Sequence, residues 1–302
     1  MLRGLILVCS ALIAGASATA LVQGRQQSPV TNVLNTLKAL SGSGLPLRYL
    51  YACAVLAAFM TAFLYNKMLI PEIVPFQWDA TFARWDFVLF GGRHPWEIIH
   101  PLVSTPGVTL FLDVVYSSWV PMVFLFWAGL LASPRVPEAI RLRYWTSTIV
   151  SWILIGLVMA TTLSSAGPCY FAEIVPDAAS PYAGLVSYLA DVSTVHPLGS
   201  TLTKDHLWAG YVGQHNLPGG ISAMPSMHNA QAALFAAAAY SINRRFGHAM
   251  LAYAALIFVG SIHLGWHYAV DGIVGVAAGL AVWWACGALF SRRAARFAPS
   301  AA

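Results

Sequence analysis

Seven windows of the chain, at 5–22, 49–70, 109–131, 144–163, 226–243, 248–264 and 268–290, are apolar over most of their length. A helix needs about 20 mostly apolar residues to cross the hydrocarbon core of a bilayer. Backbone polar groups that face lipid must be satisfied inside the segment, which leaves helices and closed barrels. None of the windows has the long alternating pattern of an outer-membrane strand. The chain is therefore expected to be all-α, a polytopic membrane helical bundle with six core transmembrane helices and an N-terminal one. Composition excludes the soluble alternative: 58% of the 302 residues are hydrophobic and 9% are charged, where soluble domains carry about a quarter charged.

Basic residues orient the bundle, because Lys and Arg near the membrane are retained on the cytoplasmic side. Arg25, Lys38 and Arg48 fall in one connection, Arg135, Arg141 and Arg143 in another, Arg244 and Arg245 in a third, and Arg292, Arg293 and Arg296 in the tail. These are expected inside. The connections at 71–108, 164–225 and 265–267 hold only Arg84, Arg93 and Lys204 against eight carboxylates, and are expected outside. The net charge of +5 thus follows topology, and no clustered basic face points to nucleic acid. Arg3 and the following "LILVCSALIAGASATA" resemble a signal peptide. Cleavage would leave the basic, acid-free stretch 23–48 outside, so a retained helix is favoured. Three parts result: 1–48, a hydrophobic segment and cytoplasmic linker; 49–291, the membrane domain; and 292–302, a basic cytoplasmic tail. Cys9, Cys53 and Cys286 sit in apolar helices and Cys169 in an outer connection, so neither a disulfide pair nor a metal-binding spacing is implied.

The outer segments carry the unusual residues. Residues 76–100, "FQWDATFARWDFVLFGGRHPWEIIH", mix aromatic rings and charges as interfacial segments do, whether as an anchor or a substrate surface. The 164–225 connection is long, and long connections that stay ordered tend to be functional; the alternative is a mobile lid. Eight of nine histidines, His94, His100, His196, His206, His215, His228, His263 and His267, fall on or near the outer face in this topology, with His248 inside. The outer boundary is where proton chemistry is expected.

Two stretches concentrate that chemistry, "ISAMPSMHNA" at 221–230 and "SIHLGWHYAVDG" at 261–272. Pro225 favours an extended approach and Ser226 is a good N-cap, so a helix start here offers unpaired N–H groups, a hydroxyl and the His228 side chain to an anion such as phosphate. The alternative is an ordinary capped helix. His267 and Asp271, four apart, are expected on one helix face. A carboxylate inside an apolar segment is costly, and His267 is its natural partner. An imidazole oriented and made more basic by a carboxylate is the arrangement that activates a nucleophile or base. A buried pair that merely locks two helices is the structural alternative. Asp113, near the outer end of its window with Tyr116 close by, is a candidate for binding a polyol, or for an interhelical polar contact.

"PSMH" at 225–228 and "HYAVD" at 267–271 resemble the PSxH and SRxxxxxHxxxD motifs of the type 2 phosphatidic acid phosphatase superfamily, over roughly residues 50–290. "GPCYF" at 167–171, with "LFGGRHP" and "FLDVVYSSW" upstream, resembles its inositolphosphotransferase branch, which includes inositol phosphorylceramide synthases. The resemblance implies that His267 attacks phosphorus, Asp271 orients it and His228 protonates the leaving oxygen. The first motif of the superfamily, KxxxxxxRP, finds no match, and the Arg of the third is missing, with Ser261 and His263 available nearby. A phosphoryl transition state needs donors around its oxygens; Ser226, Lys204, His263, Arg84 and Arg93 are the candidates. His263 would share a face with His267 if the helix continued through Gly265.

The expected function is that of a membrane phosphatase or phosphotransferase acting at the extracytoplasmic face, in a bacterial inner membrane, through a phosphohistidine. The donor would be a lipid phosphate or phosphodiester and the acceptor water or a polyol, with membrane lipids around the site and neither metal nor cofactor required. Two other classes compete. A histidine-ligated metal oxidase would use the HxxxH of "HLGWH", but the chain has no HH pair and no second HxxxH. A non-catalytic transporter or scaffold would have no need of Ser226, His228, His267 and Asp271 together.

Overall fold

The computed structural model describes residues 44–133, 135–176, 179–213 and 220–296. The apolar window 5–22, most of the 1–48 segment and the end of the tail lie outside them. Every regular element among the described residues is helical: α1 Leu45–Met68, α2 Ile70–Ile73, α3 Asp79–Leu89, α4 Pro95–Val103, α5 Pro106–Ser117, α6 Trp119–Ala132, α7 Glu138–Ile153, α8 Phe171–Ile174, α9 Ala183–Val195, α10 Gly199–Tyr211, α11 Met227–Ile242, α12 Arg244–His263 and α13 Ala269–Arg296. A π-helical stretch, Leu154–Met159, and a last turn, Ala160–Thr162, extend α7. Among the described residues, five spans are long and apolar enough to cross a membrane, Pro46–Ile73, Pro106–Leu131, Glu138–Thr162, Arg244–His263 and Ala269–Ser291, as an integral membrane protein requires.

The sixth expected core helix, at 226–243, is α11, only 16 residues long. It is built from small residues, buried at Asn229 through Ala236 and again at Ala238 and Ala239, and it packs against α7, α12 and α13. A helix enclosed by protein on most sides needs no lipid-facing length. The expected 109–131 window breaks at Ser118 between α5 and α6. Pro121 has no N–H for the Ser117 carbonyl, so an α-helical ladder cannot run through this point.

The chain divides into two compact units, Met1–Met60 with Ser118–Pro137 and Thr61–Ser117 with Glu138–Ala302. In the first, Phe59 stacks on Trp127 with ring centroids 6.3 Å apart, beside the buried Ala52, Leu56 and Ala128. The second holds both stretches singled out above. The 164–225 connection, expected as a loop, contains α8, α9 and α10 in that unit. Its ends return together: Ala223 N–H donates to the Ser165 carbonyl at 2.9 Å and Met224 N–H to Ser165 Oγ at 3.1 Å.

Small residues let α13 lie directly against the start of α11. A methyl group at Gly275 would collide with the Ser226 carbonyl oxygen, and one at Gly279 would come within 2.9 Å of the Ala230 carbonyl oxygen. Gly275→Ala should therefore lower stability by about 1–3 kcal/mol and depress activity, because the backbone it displaces carries Ser226 and His228. Gly129→Ala, where nothing lies within 4 Å of the added methyl, is the control and should be neutral or slightly stabilising. Thermal unfolding of both variants in detergent tests this; equal midpoints would rule out the close approach.

Candidate active site

Ser226 caps α11 as its sequence suggests: its φ and ψ are extended and Oγ accepts from Asn229 N–H. The Asn229 side chain donates to the same oxygen at 3.0 Å and to Ser261 Oγ at 3.3 Å. Ser226 N–H donates to the Asp271 carbonyl at 3.0 Å, which joins the two stretches through their backbones. Side chains follow from that register. The His228 and His267 rings lie 6.0 Å apart between centroids. Tyr116, from α5, stacks on His228 at 4.4 Å with 13° between planes.

His267 Nδ1 stands 3.4 Å from Asp271 Oδ2, and both side chains are buried. The expectation that the two share a helix face is corrected by the helix boundary. The α13 helix begins at Ala269, so His267 precedes it and Asp271 lies in its first turn. The carboxylate is held in place by Tyr268 N–H, which donates to Asp271 Oδ2 at 3.0 Å. Burial and the charge of Lys67 push the His267 imidazole down to about 3, so the ring is neutral at physiological pH and its nitrogen lone pair is available. Four buried polar atoms here have no protein partner within hydrogen-bonding geometry: Tyr116 OH, Asn229 Oδ1, His267 Nδ1 and Asp271 Oδ1.

Residues 167–171, "GPCYF", brace the loop that carries His267. Gly167 has φ +105° and a methyl there would meet the Trp266 carbonyl oxygen at 2.6 Å, so no other residue fits. Cys169 N–H donates to the Gly265 carbonyl at 2.8 Å.

Residues 81–285, about two thirds of the chain, match the profile of the PAP2 superfamily. The chain belongs to that superfamily. Neither a curated protein nor a solved structure matches it. Membership sets the general reaction class, since PAP2 proteins are phosphatases and phosphotransferases that act on phosphate esters.

Upstream of the residues that match the profile, one stretch has part of the spacing of the superfamily's first motif. "KMLIPEIVP" at 67–75 keeps the Lys and the Pro of KxxxxxxRP, with Val74 in the place of the Arg. Lys67, in the last turn of α1, is close enough for its charge to act on both His228 and His267. Its methylene stem runs beside Gly220, where an added methyl would meet Cβ, Cγ and Cδ at 3.3–3.4 Å. A search that demands both cations of the motif passes over this lysine; the nine-residue spacing was the signal. In the third motif the Arg position is Ser261, whose hydroxyl donates to the Phe258 carbonyl at 2.7 Å.

Of the other expected residues, His263, Arg93 and Asp113 have side-chain hydrogen bonds away from His267. Gly265, at φ +74°, ends α12, so the helix does not continue from His263 to His267 and the HxxxH lies on no single helix. His263 instead bonds through Nε2 to Thr109 Oγ1 at 2.9 Å, and its ring lies 5.8 Å from that of His100. Lys204 accepts the Tyr170 hydroxyl on its carbonyl at 2.9 Å, Arg93 donates to the Glu97 carbonyl at 3.2 Å, and Arg84 is exposed on α3. Asp113 accepts Gly199 N–H and Ser200 N–H at 2.8 Å each, one on either oxygen, and so caps α10. Among the described residues no group of three or more His, Cys, Asp or Glu could hold a metal ion.

Proposed function

We propose that this protein is a phosphotransferase that displaces one alcohol from a membrane phosphodiester and passes the phosphoryl group, still carrying its second ester, to a hydroxyl acceptor, at the extracytoplasmic face of a bacterial inner membrane. The observation that carries the reading is the facing pair of imidazoles, 6.0 Å apart, with Asp271 3.4 Å behind one of them. His267 attacks through Nε2, the nitrogen turned away from Asp271. The N–P bond forms as the P–O bond to the leaving group breaks, and His228, protonated when the phosphate anion lies beside it, gives that proton to the departing oxygen. In the second half His228 takes the proton of the acceptor hydroxyl, the new O–P bond forms and the N–P bond breaks. His267 keeps its Nδ1 proton, facing Asp271, throughout. The orphaned Tyr116, Asn229 and Asp271 oxygens support a polar group held in this space.

Charge favours a diester donor. Where the family pattern places three cations this chain has Lys67, Val74 and Ser261, so one positive side chain meets the phosphate. A monoester is close to a dianion at neutral pH and a diester a monoanion, and each uncompensated charge in a water-poor site is costly. The reaction is tested with purified protein and a headgroup-labelled phospholipid, with and without inositol or a lipid alcohol. A labelled phosphodiester that requires the added alcohol is the expected product. Release of inorganic phosphate from a monoester, unaffected by alcohols and faster than any diester turnover, would replace the proposal with a lipid phosphatase.

A further inference from the structure

The α3 helix presents Asp79, Phe82, Ala83 and Asp86 on its buried face, a spacing of three, four and seven residues. Both carboxylates are 1% exposed, although this helix lies in a segment expected at the membrane surface. Among the described residues, their hydrogen-bond partners lie on residues 166–167 and 268–270. Asp86 Oδ2 accepts Ala269 N–H at 2.7 Å and Oδ1 accepts Val270 N–H at 2.9 Å. Asp79 accepts Ala166 N–H at 2.9 Å on one oxygen, and Gly167 N–H and the Tyr268 hydroxyl at 2.8 Å each on the other.

With these two residues counted, the backbone around His267 is fully tied. Trp266 and His267 N–H both donate to the Ser261 carbonyl, at 3.0 and 3.1 Å. Tyr268 N–H goes to the Asp271 carboxylate, and Ala269 and Val270 N–H go to Asp86. Five consecutive N–H groups thus have assigned acceptors, and the last three are carboxylate oxygens. Burying an unpaired carboxylate costs several kcal/mol, so a chain that keeps two on one helix face obtains something beyond helix capping.

We infer that Asp79 and Asp86 are positioning residues for the transfer reaction: together they set the register of residues 267–271, and with it the aim of His267 and the approach of Asp271. This rests on the reading of His267 as nucleophile. A shift of about 1 Å in a reacting group costs about a hundredfold in rate, and the loop has no other acceptor on α3 to restore the register.

Burial raises the Asp86 carboxyl to about 6 and shifts Asp79 upward as well. The groups facing them are Tyr182, Tyr268 and Asp271, with His94 beyond Tyr182. The tyrosines do not titrate in this range, and His267, at about 3, stays neutral. Because the folded value of Asp86 lies above its ordinary value of 3.8, its contribution to stability is fully present below that value and is lost as pH rises through 6. Acidification through 6 therefore does not unfold the protein through this group. It places a proton on an oxygen that accepts a backbone N–H, and the rate falls while stability does not.

The test compares Asp86→Asn, Asp86→Ala and Asp79→Asn with the wild type for kcat, KM, the pH profile and the thermal midpoint in detergent. Asp86→Ala should lower kcat about tenfold to a hundredfold with KM changed less than threefold. Asp86→Asn should show a reduced rate and no acid limb near pH 6, and Asp79→Asn a reduced rate with the limb retained. If the Asp86 variants lose thermal stability but keep the wild-type kcat and acid limb, the pair is purely structural and the inference fails. His267→Ala assayed alongside separates the two readings: if it retains turnover, the nucleophile assignment has failed, whatever the aspartates do.

Discussion

His267→Ala should form no covalent adduct with a phosphate-labelled donor and should lose about four orders of magnitude or more of turnover, as removal of an enzyme nucleophile does. The ring is 6% exposed, is kept neutral by burial and Lys67, faces Asp271 through Nδ1 and lies 6.0 Å from the His228 ring between centroids. His228 has the complementary setting. It is the more accessible of the two rings, held flat against Tyr116, and it is suited to trade protons with oxygens that arrive and depart. His228→Ala should cost about two to four orders of magnitude, and a donor with an acidic leaving group should recover part of the first step. The second step would still lack its base, so label should accumulate on the protein, as an acid-labile, base-stable phosphohistidine if the transferred group is a simple phosphoryl. Asp271→Asn should keep the fold and slow both steps. Quenched-flow labelling of the three variants decides the matter. Label trapped by His267→Ala as efficiently as by His228→Ala would place the nucleophile elsewhere.

Lys67→Met should lower kcat/KM by about 10²–10³, the effect of removing one donor to a developing oxyanion in a site poor in water. The expectation is larger than for an exposed lysine because, among the described residues, Lys67 is the lysine or arginine whose charge acts on both histidines. Methionine keeps the stem that runs beside Gly220 and removes the charge, so folding should be preserved. The loss should be greater for a monoester than for a diester substrate, which carries less charge. Steady-state rates with both donor types, with the thermal midpoint as a control, measure it. A change of less than threefold would mean that the lysine serves the fold alone and that backbone N–H groups neutralise the phosphate.

The sequence by itself determined that the chain is helical and membrane-embedded, because some twenty apolar residues in succession have one economical solution in lipid. Ser226, His228, His267 and Asp271 stand out along the chain as candidates, since a serine before a helix and a carboxylate within an apolar run carry their chemistry locally. Tertiary structure decided what those residues face. Asp113, which looks like a ligand-binding carboxylate from its place near the end of an apolar window, spends both oxygens on Gly199 and Ser200, more than eighty residues away. His263 looks like a neighbour of His267 by helical spacing, but Gly265 turns the chain and sends it to Thr109. Lys67, on a helix about 160 residues before His228, comes close enough for its charge to act on both histidines. Asp79 and Asp86 look in sequence like surface charges among tryptophans, yet Asp86 accepts Ala269 and Val270 N–H and Asp79 accepts Ala166 and Gly167 N–H and the Tyr268 hydroxyl. Hydrophobic length and local capping are properties of neighbouring residues and can be read along the chain. The partner of a buried carboxylate or ammonium is set by which helices pack together, and that is a property of the folded chain alone.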